Sequence, residues 1–323
     1  MKRLAVLTSG GDAPGMNAAI RAIVRTALSC GCAVLGVRHG YTGLIAADFV
    51  GLGRREVGGI IDRGGTILGT SRCPAFLTPE GQQTAVRNLI ERDIDALIVI
   101  GGDGSQSGAC ALSQRGVAVA GVASTIDNDL AGSDITIGTM TALETAVQAI
   151  DRLRATAAAH GRVFLVELMG RHYGYLSLIA ALTGGAEVIT IPEAPQTPEQ
   201  VAAAIRAAYA RGKSHAIVVV AEGAPHNADA LAHYFAEHGE RLGFEVRVCR
   251  LGHLQRGGAP TVFDRLNATL LGAAAVEHLR DGRHGVLLGL IEGQIRATPL
   301  TAIAGRRKPL DLSVLKLAQL LAE

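Results

Sequence analysis

The chain reads as an α/β protein of two Rossmann-like domains, each a parallel sheet with helices on both faces. Three observations predict this. Short apolar runs alternate with longer amphipathic stretches along the whole sequence, as βαβ units require. Glycine is abundant, 41 of 323 residues, and many glycines fall just after an apolar run, where a strand turns sharply into a helix. The strands are also too many for one doubly wound sheet of ordinary size, so two sheets are expected.

The elements follow in order. Residues 4–8 form a strand, and 17–30 a helix with Ala18, Ala19, Ile20, Ile23, Val24, Ala27 and Leu28 on its apolar side. Residues 33–37 are strand-like and 83–91 helix-like. The apolar runs 96–100 and 117–122 are buried strands. A long helix over 140–159 marks the boundary between the sheets, near Thr139. Strands follow at 163–168, 188–191 and 216–221, the last preceded by a helix over 198–211. A short strand at 246–249 and a helix at 261–279 lead to a strand at 286–290, which can return to the first sheet.

Composition narrows the function. Hydrophobic residues at 48% and charged residues at 19% place the chain among globular proteins and exclude disorder. Aromatics at 3%, with no Trp, argue against a stacking platform for single-stranded nucleic acid. A net charge of +2 gives no general attraction to nucleic acid or membranes, so neither is expected as a partner. The five cysteines, Cys30, Cys32, Cys73, Cys110 and Cys249, are scattered and lack metal-ligand spacing, which fits a reducing compartment. The first apolar run is too short for a signal peptide and no run reaches membrane-spanning length; a cytoplasmic protein is expected.

The chemistry-bearing segments sit just after strands, the edge where open α/β sheets bind ligands. Thr8-Ser9-Gly10-Gly11-Asp12 leaves the first strand and enters a helix, so its N–H groups can face a phosphate. A packing turn would use the same glycines. Gly101-Gly102-Asp103-Gly104-Ser105 adds a carboxylate for Mg²⁺ on bare backbone. Helix capping by Asp103 or Ser105 would explain the polar residues but not the second acidic loop. That loop, Ser124-Thr125-Ile126-Asp127-Asn128-Asp129, places two acids two residues apart, with Asp127 the candidate base. Met169-Gly170-Arg171 and Glu222 follow later strands, and His253 and Arg256 are a basic pair suited to a phosphate monoester. Arg21 and Arg25 share a helical face, a solvated pair unless other cations meet them. Together these suit phosphoryl transfer from a nucleotide to a hydroxyl. A dinucleotide-dependent oxidoreductase is disfavoured, because no G-x-G-x-x-G follows the first strand. The presence of Asp103, Asp127 and Arg171 argues against a catalytically dead regulatory subunit.

Residues 8–21, 101–105, 125–129, 169–171 and 251–258, in this order and spacing, resemble the bacterial ATP-dependent 6-phosphofructokinase family nearly from end to end. The resemblance implies Mg²⁺-dependent transfer from ATP to the C1 hydroxyl of fructose 6-phosphate. It implies a larger nucleotide-binding domain, residues 1–138 with 255–305, and a smaller sugar-phosphate domain, residues 139–254 with 306–323. Gly11, Tyr41, Arg72, Cys73, Gly102, Asp103, Gly104 and Ser105 would line the ATP site, with Asp103 on Mg²⁺. Asp127 would take the proton, and Arg72, Thr125 and Arg171 would stabilise the moving phosphoryl group. Thr125, Asp127, Asp129, Met169, Gly170, Arg171, Glu222, His253 and Arg256 would meet the sugar phosphate, with Arg162 and Arg247 reaching it from a neighbouring subunit of a homotetramer. Arg21, Arg25, Arg54, Arg154, Gly185, Glu187, Arg211 and Lys213 would bind an allosteric anion such as ADP, GDP or phosphoenolpyruvate.

The sequence departs from the family pattern at several of these places. Ser124 stands where ATP users commonly have Gly and pyrophosphate users Lys, while Gly104 favours ATP over the alternative, pyrophosphate. Leu77 and Gln82 replace arginines that some relatives hold near the nucleotide. Arg55 and Gly59 differ from the usual effector-site neighbours, which leaves the effector open.

Overall fold

The computed structural model describes residues 1–322. In chain order it begins with strand β1 (Arg3–Ser9), helix α1 (Met16–Ser29), β2 (Ala33–Val37), α2 (Gly40–Ala46) and β3 (Phe49–Gly51). Next come α3 (Pro79–Glu91), β4 (Ala96–Gly101), α4 (Asp103–Gln114), β5 (Val119–Ala123) and the long α5 (Thr139–His160). Then follow β6 (Val163–Leu168), α6 (Tyr175–Gly184), β7 (Val188–Thr190), α7 (Pro198–Ala210) and β8 (Ala216–Ala221). After these come α8 (Ala228–Glu237), α9 (Gly239–Leu242), β9 (Val246–Arg250), α10 (Val262–Arg280), β10 (Val286–Ile291), β11 (Gln294–Pro299), α11 (Leu300–Ile303) and α12 (Leu312–Ala322).

The chain divides into two compact units. The first comprises Met1–Thr141 and Arg256–Lys308; the second comprises Ala142–Gln255 and the stretch from Pro309 onward. The first holds a seven-stranded sheet in the order β11-β10-β5-β4-β1-β2-β3. Its central strands β4 and β5 are buried at every residue, which is why they read as unbroken apolar runs. From β1 the chain crosses to β2 on one side, while β4 lies on the other, so the strand order reverses between β1 and β4. Ligands bind at such a switch point in open α/β sheets. The second unit holds a parallel four-stranded sheet, β7-β8-β6-β9. Its core gathers Leu165, Val218, Val220 and Phe235. Full burial of each such side chain contributes roughly 1.5–3 kcal/mol.

The first sheet is not wholly parallel, in contrast to the sequence expectation. Both of its edge strands, β3 and β11, run antiparallel to their neighbours. The β10–β11 connection is the two-residue turn Glu292-Gly293, with φ of 52° and 71°. Positive φ at both positions is the hairpin geometry that brings a strand straight back. The strand expected at 117–122 begins instead at Val119, because the Val117 N–H closes the end of α4 on the Leu112 carbonyl.

Candidate active site

In the first unit three loops leave the sheet side by side, because Ser9 pairs with Gly101 and Gly101 with Ala123. The turn after β1 packs against an arginine. The Arg256 guanidinium lies over Gly11, where a Cβ would run into it, and Nη1 donates to the Asp12 carbonyl at 3.0 Å. The basic pair His253 and Arg256 therefore divides between the units: Arg256 is buried in the first, and His253 is exposed in the second.

The second loop opens α4, whose first residue is Asp103 and whose N-cap is Gly102. The free N–H groups at this end favour an anion. A Cβ at Gly104 would meet nothing within 4 Å, so the space beside this turn is open. Tyr41 supports the loop from beneath. It is 5% exposed, stacks on Phe76 at 3.9 Å and donates its hydroxyl to the Ser105 carbonyl at 2.6 Å. Burial pushes its phenol far up, so it remains a donor. Cys73 packs against the same core, and Arg72 beside it is exposed.

The half-buried Asp103 carboxylate titrates above the usual range. Burial is the main cause and the nearby Asp129 carboxylate adds to it, against the Gly305 N–H and Arg307. Its Oδ1 is buried with no hydrogen-bond partner among the described residues. No group of three or more His, Cys, Asp or Glu side chains that could cage a metal occurs among those residues. An orphaned carboxylate oxygen therefore fits a cation that arrives with other ligands, as Mg²⁺ does on phosphates.

The third loop is knitted to itself. The Asp127 N–H donates to Thr125 Oγ1 at 3.2 Å. The Thr125 carbonyl accepts from the hydroxyls of Thr136 at 2.6 Å and Thr139 at 3.1 Å. Asn128, at φ 55°, accepts from the Thr136 N–H at 3.1 Å and donates to the Asp134 carbonyl at 3.0 Å. Asp127 is thereby held 3% exposed at the end of β5. Ser124 is fully buried and donates to the Ile137 carbonyl at 3.4 Å, so the departure at this position is absorbed within the loop.

Sequence reasoning missed Gln106. It is fully buried, and its amide donates to the carbonyls of Val99, Gly101 and Val122 at 3.0–3.3 Å. It stitches the ends of β4 and β5, from which the two acidic loops spring. A side chain at Gly121 would collide with it. Its only sequence signal is a glycine inside an apolar strand.

In the second unit Leu168 pairs with Ala221, which sets residues 169–171 beside Glu222. Glu222 Oε1 accepts the N–H groups of Gly170 at 3.3 Å and Arg171 at 2.8 Å. The Met169 N–H donates to buried Gln255 at 2.8 Å. Gly170 has φ 141°, and a Cβ there would lie 2.5 Å from the Tyr173 carbonyl oxygen, so the local turn itself requires glycine. On the edge strand and beside it, Arg247 and Arg162 both reach the Glu245 carboxylate, at 3.3 and 3.2 Å.

The expected effector residues also fall in both units. Arg21 and Arg25 lie on α1 and Arg54 is exposed after β3. In the second unit Arg154 donates to the carbonyls of Gly184 and Gly185 at the end of α6. The largely buried Glu187 accepts from Lys213 Nζ at 3.0 Å and from the Ile217 N–H at 2.7 Å. Arg211 donates to the Ala322 carbonyl at 3.1 Å.

A phosphofructokinase family model matches residues 3–279. The chain is 53% identical to ATP-dependent 6-phosphofructokinase 1 of Thermus thermophilus over the whole length of both. It is 48% identical to the ATP-dependent 6-phosphofructokinase of Thermotoga neapolitana, again over both full lengths. Among solved structures it resembles Pichia pastoris phosphofructokinase in the T-state, with a TM-score of 0.89 and 35% identity over 99% of this chain. The chain spans 36% of that longer yeast chain. A pyrophosphate-dependent phosphofructokinase from Marinobacter aquaeolei matches 97% of this chain and 86% of its own at a TM-score of 0.87; at 23% identity that likeness bears on the fold alone.

Proposed function

The chain belongs to the phosphofructokinase family and is an ATP-dependent kinase of fructose 6-phosphate, and on that premise we propose how its residues carry the transfer. The observation that supports the reading best is the alignment of three strand ends, which sets the glycine turn, Asp103 and Asp127 on adjacent loops. Donor phosphates lie against the glycine turn and the N-terminus of α4. Asp103 would hold Mg²⁺ together with the donor's phosphates, and the bound ion would supply positive charge against those phosphates. Asp127 takes the proton from the C1 hydroxyl as that oxygen attacks in line. Arg72, Thr125 and Arg171 stabilise the phosphoryl group in flight. Asp129, Met169, Gly170, Glu222, His253 and Arg256 hold fructose 6-phosphate. Tyr41 and Cys73 serve the nucleotide by shaping the loops beneath it.

Ser124 and Gly104 bear on the donor. Neither brings a charge to the phosphates, which suits ATP. Purified protein given fructose 6-phosphate, Mg²⁺ and either ATP or pyrophosphate tests this directly. Turnover is expected with ATP and not with pyrophosphate. It should vanish on chelation and return with added Mg²⁺; turnover that survives chelation would remove Asp103 from its metal role.

The assembly belongs to the same proposal: a homotetramer in which Arg162 and Arg247 serve a neighbouring subunit's substrate. Their shared rest on Glu245, just before the exposed edge strand β9, fits that use. No helix among the described residues is long and apolar enough to cross a membrane, and we place this glycolytic step in the cytoplasm.

We propose that regulation rests on the residues that the resemblance assigns to an allosteric anion. Arg21, Arg25, Arg54, Arg154, Gly185, Glu187, Arg211 and Lys213 bind an anion such as ADP, GDP or phosphoenolpyruvate. A hydrogen bond to a charged group contributes about 1.5–3 kcal/mol. Arg25→Ala is therefore expected to weaken effector binding by roughly ten-fold or more and to leave effector-free turnover largely intact. Fructose 6-phosphate saturation curves with and without each effector measure this. An identical response in wild type and variant would dissociate Arg25 from regulation.

A further inference from the structure

The loop that carries Asp127 is held from outside by a segment some 170 positions further along the chain. Lys308 is half-buried, and its Nζ donates to the carbonyls of Ser133 at 2.8 Å and Asp134 at 2.5 Å. Its own N–H donates to the Asp129 carbonyl at 3.3 Å, and Arg307 beside it forms an antiparallel bridge with Leu130. The Asp134 carbonyl is shared: Asn128 Nδ2 also donates to it, and Asn128 follows Asp127 in the chain with φ 55°. Lys308, the Asp134 carbonyl, Asn128 and Asp127 thus form one continuous path.

We propose that Lys308 is a positioning residue for phosphoryl transfer, pinning the outer turn of this loop so that Asp127 is presented to the acceptor hydroxyl in one geometry. The proposal rests on the reading of Asp127 as the base. Two consecutive carbonyls converge on one ammonium, which supplies three donors where a neutral side chain supplies fewer. Burial has a cost for that ammonium. Lys308 is pulled down to about 8, with Asp134 and Asp129 opposing the shift. A cation kept in place against that cost, with two loop carbonyls as its acceptors, is consistent with geometry that matters. A misplacement of about 1 Å at a reacting group can slow a reaction by about a hundred-fold.

The test uses the full-length enzyme and the variants Lys308→Met, Lys308→Arg, Asp127→Ser and Lys308→Met/Asp127→Ser. Lys308→Met is expected to lower kcat by about ten-fold or more, with both substrate KM values within about three-fold of wild type. Lys308→Arg, which keeps a charged donor, should regain most of kcat. In the Asp127→Ser background Lys308→Met should cost little more, because the group it positions is gone. Should Lys308→Met fail to fold, Lys308→Gln takes its place with the same expectation. Wild-type kcat in the Met or Gln variant overturns the proposal, as does an Arg variant no more active than Met, or a full extra loss on top of Asp127→Ser. If Asp127→Ser itself turns over normally, the base assignment fails, and that outcome is read separately from the single Lys308 variants.

Discussion

Asp127→Ser is expected to lower kcat by roughly two to four powers of ten, the range that positioned proton transfer supplies. The KM for fructose 6-phosphate should move far less. Proton removal from the C1 hydroxyl happens only as the new bond forms, so its loss is felt in the transition state and hardly in the ground state. The loop should survive the change. Its cohesion comes from Asn128, Thr136 and Thr139 acting on backbone groups, and the Asp127 contact to Thr125 Oγ1 uses the backbone N–H. Initial rates at saturating substrates, with a melting curve to check folding, decide the matter. A kcat near wild type in a folded variant would remove Asp127 from the chemistry.

How much of this was legible in the sequence depends on where each residue finds its partners. Strands β4, β6 and β8 announce themselves because central parallel strands are apolar on both faces. Strand β11 does not. Its sequence, QIRATP, lies on a sheet edge and is mostly exposed, so only the short turn before it carries a signal. Helix α6 is apolar almost all round because it is buried, and amphipathic spacing cannot reveal such a helix. Helix α4 begins with Asp, Gly and Ser, poor helix formers that tertiary packing overrides.

The site shows the same division. The glycine turns and acids are visible because they cluster within a few residues after a strand. Gln106 and Lys308 are invisible because their partners are backbone carbonyls, which have no residue identity, and for Lys308 these lie far away in the chain. Gly170 is legible from its place just after a strand, but a role toward the sugar phosphate is not the only reason for a glycine there: its own turn demands a positive φ and no Cβ. The proposed effector residues are spread over residues 21–213, and only the family resemblance connects them.

Arg171→Ala is expected to lower kcat/KM by about two to three powers of ten, the loss typical of removing one preorganised donor to transition-state charge. The backbone beneath this arginine makes a sharper test. Arg171 sits at φ 52°, a conformation that L-residues other than Asn and Asp seldom adopt and that costs about 1–3 kcal/mol. Two neighbours hold it there. Glu222 accepts the N–H groups of Gly170 and Arg171 on one carboxylate oxygen. Gly223 offers no side chain where the Arg171 carbonyl lies; a Cβ at that position would overlap the carbonyl oxygen. Gly223→Ala should therefore push residue 171 out of its conformation and misdirect a guanidinium that is still present. The expected result is a kcat loss approaching that of Arg171→Ala. The melting temperature, followed in parallel, reports any wider damage, and Gly223→Ser should behave like Gly223→Ala because the clash begins at Cβ. Normal kcat in folded Gly223→Ala would mean that the guanidinium finds its target from more than one backbone geometry, and that the strain at Arg171 serves the turn and not the chemistry.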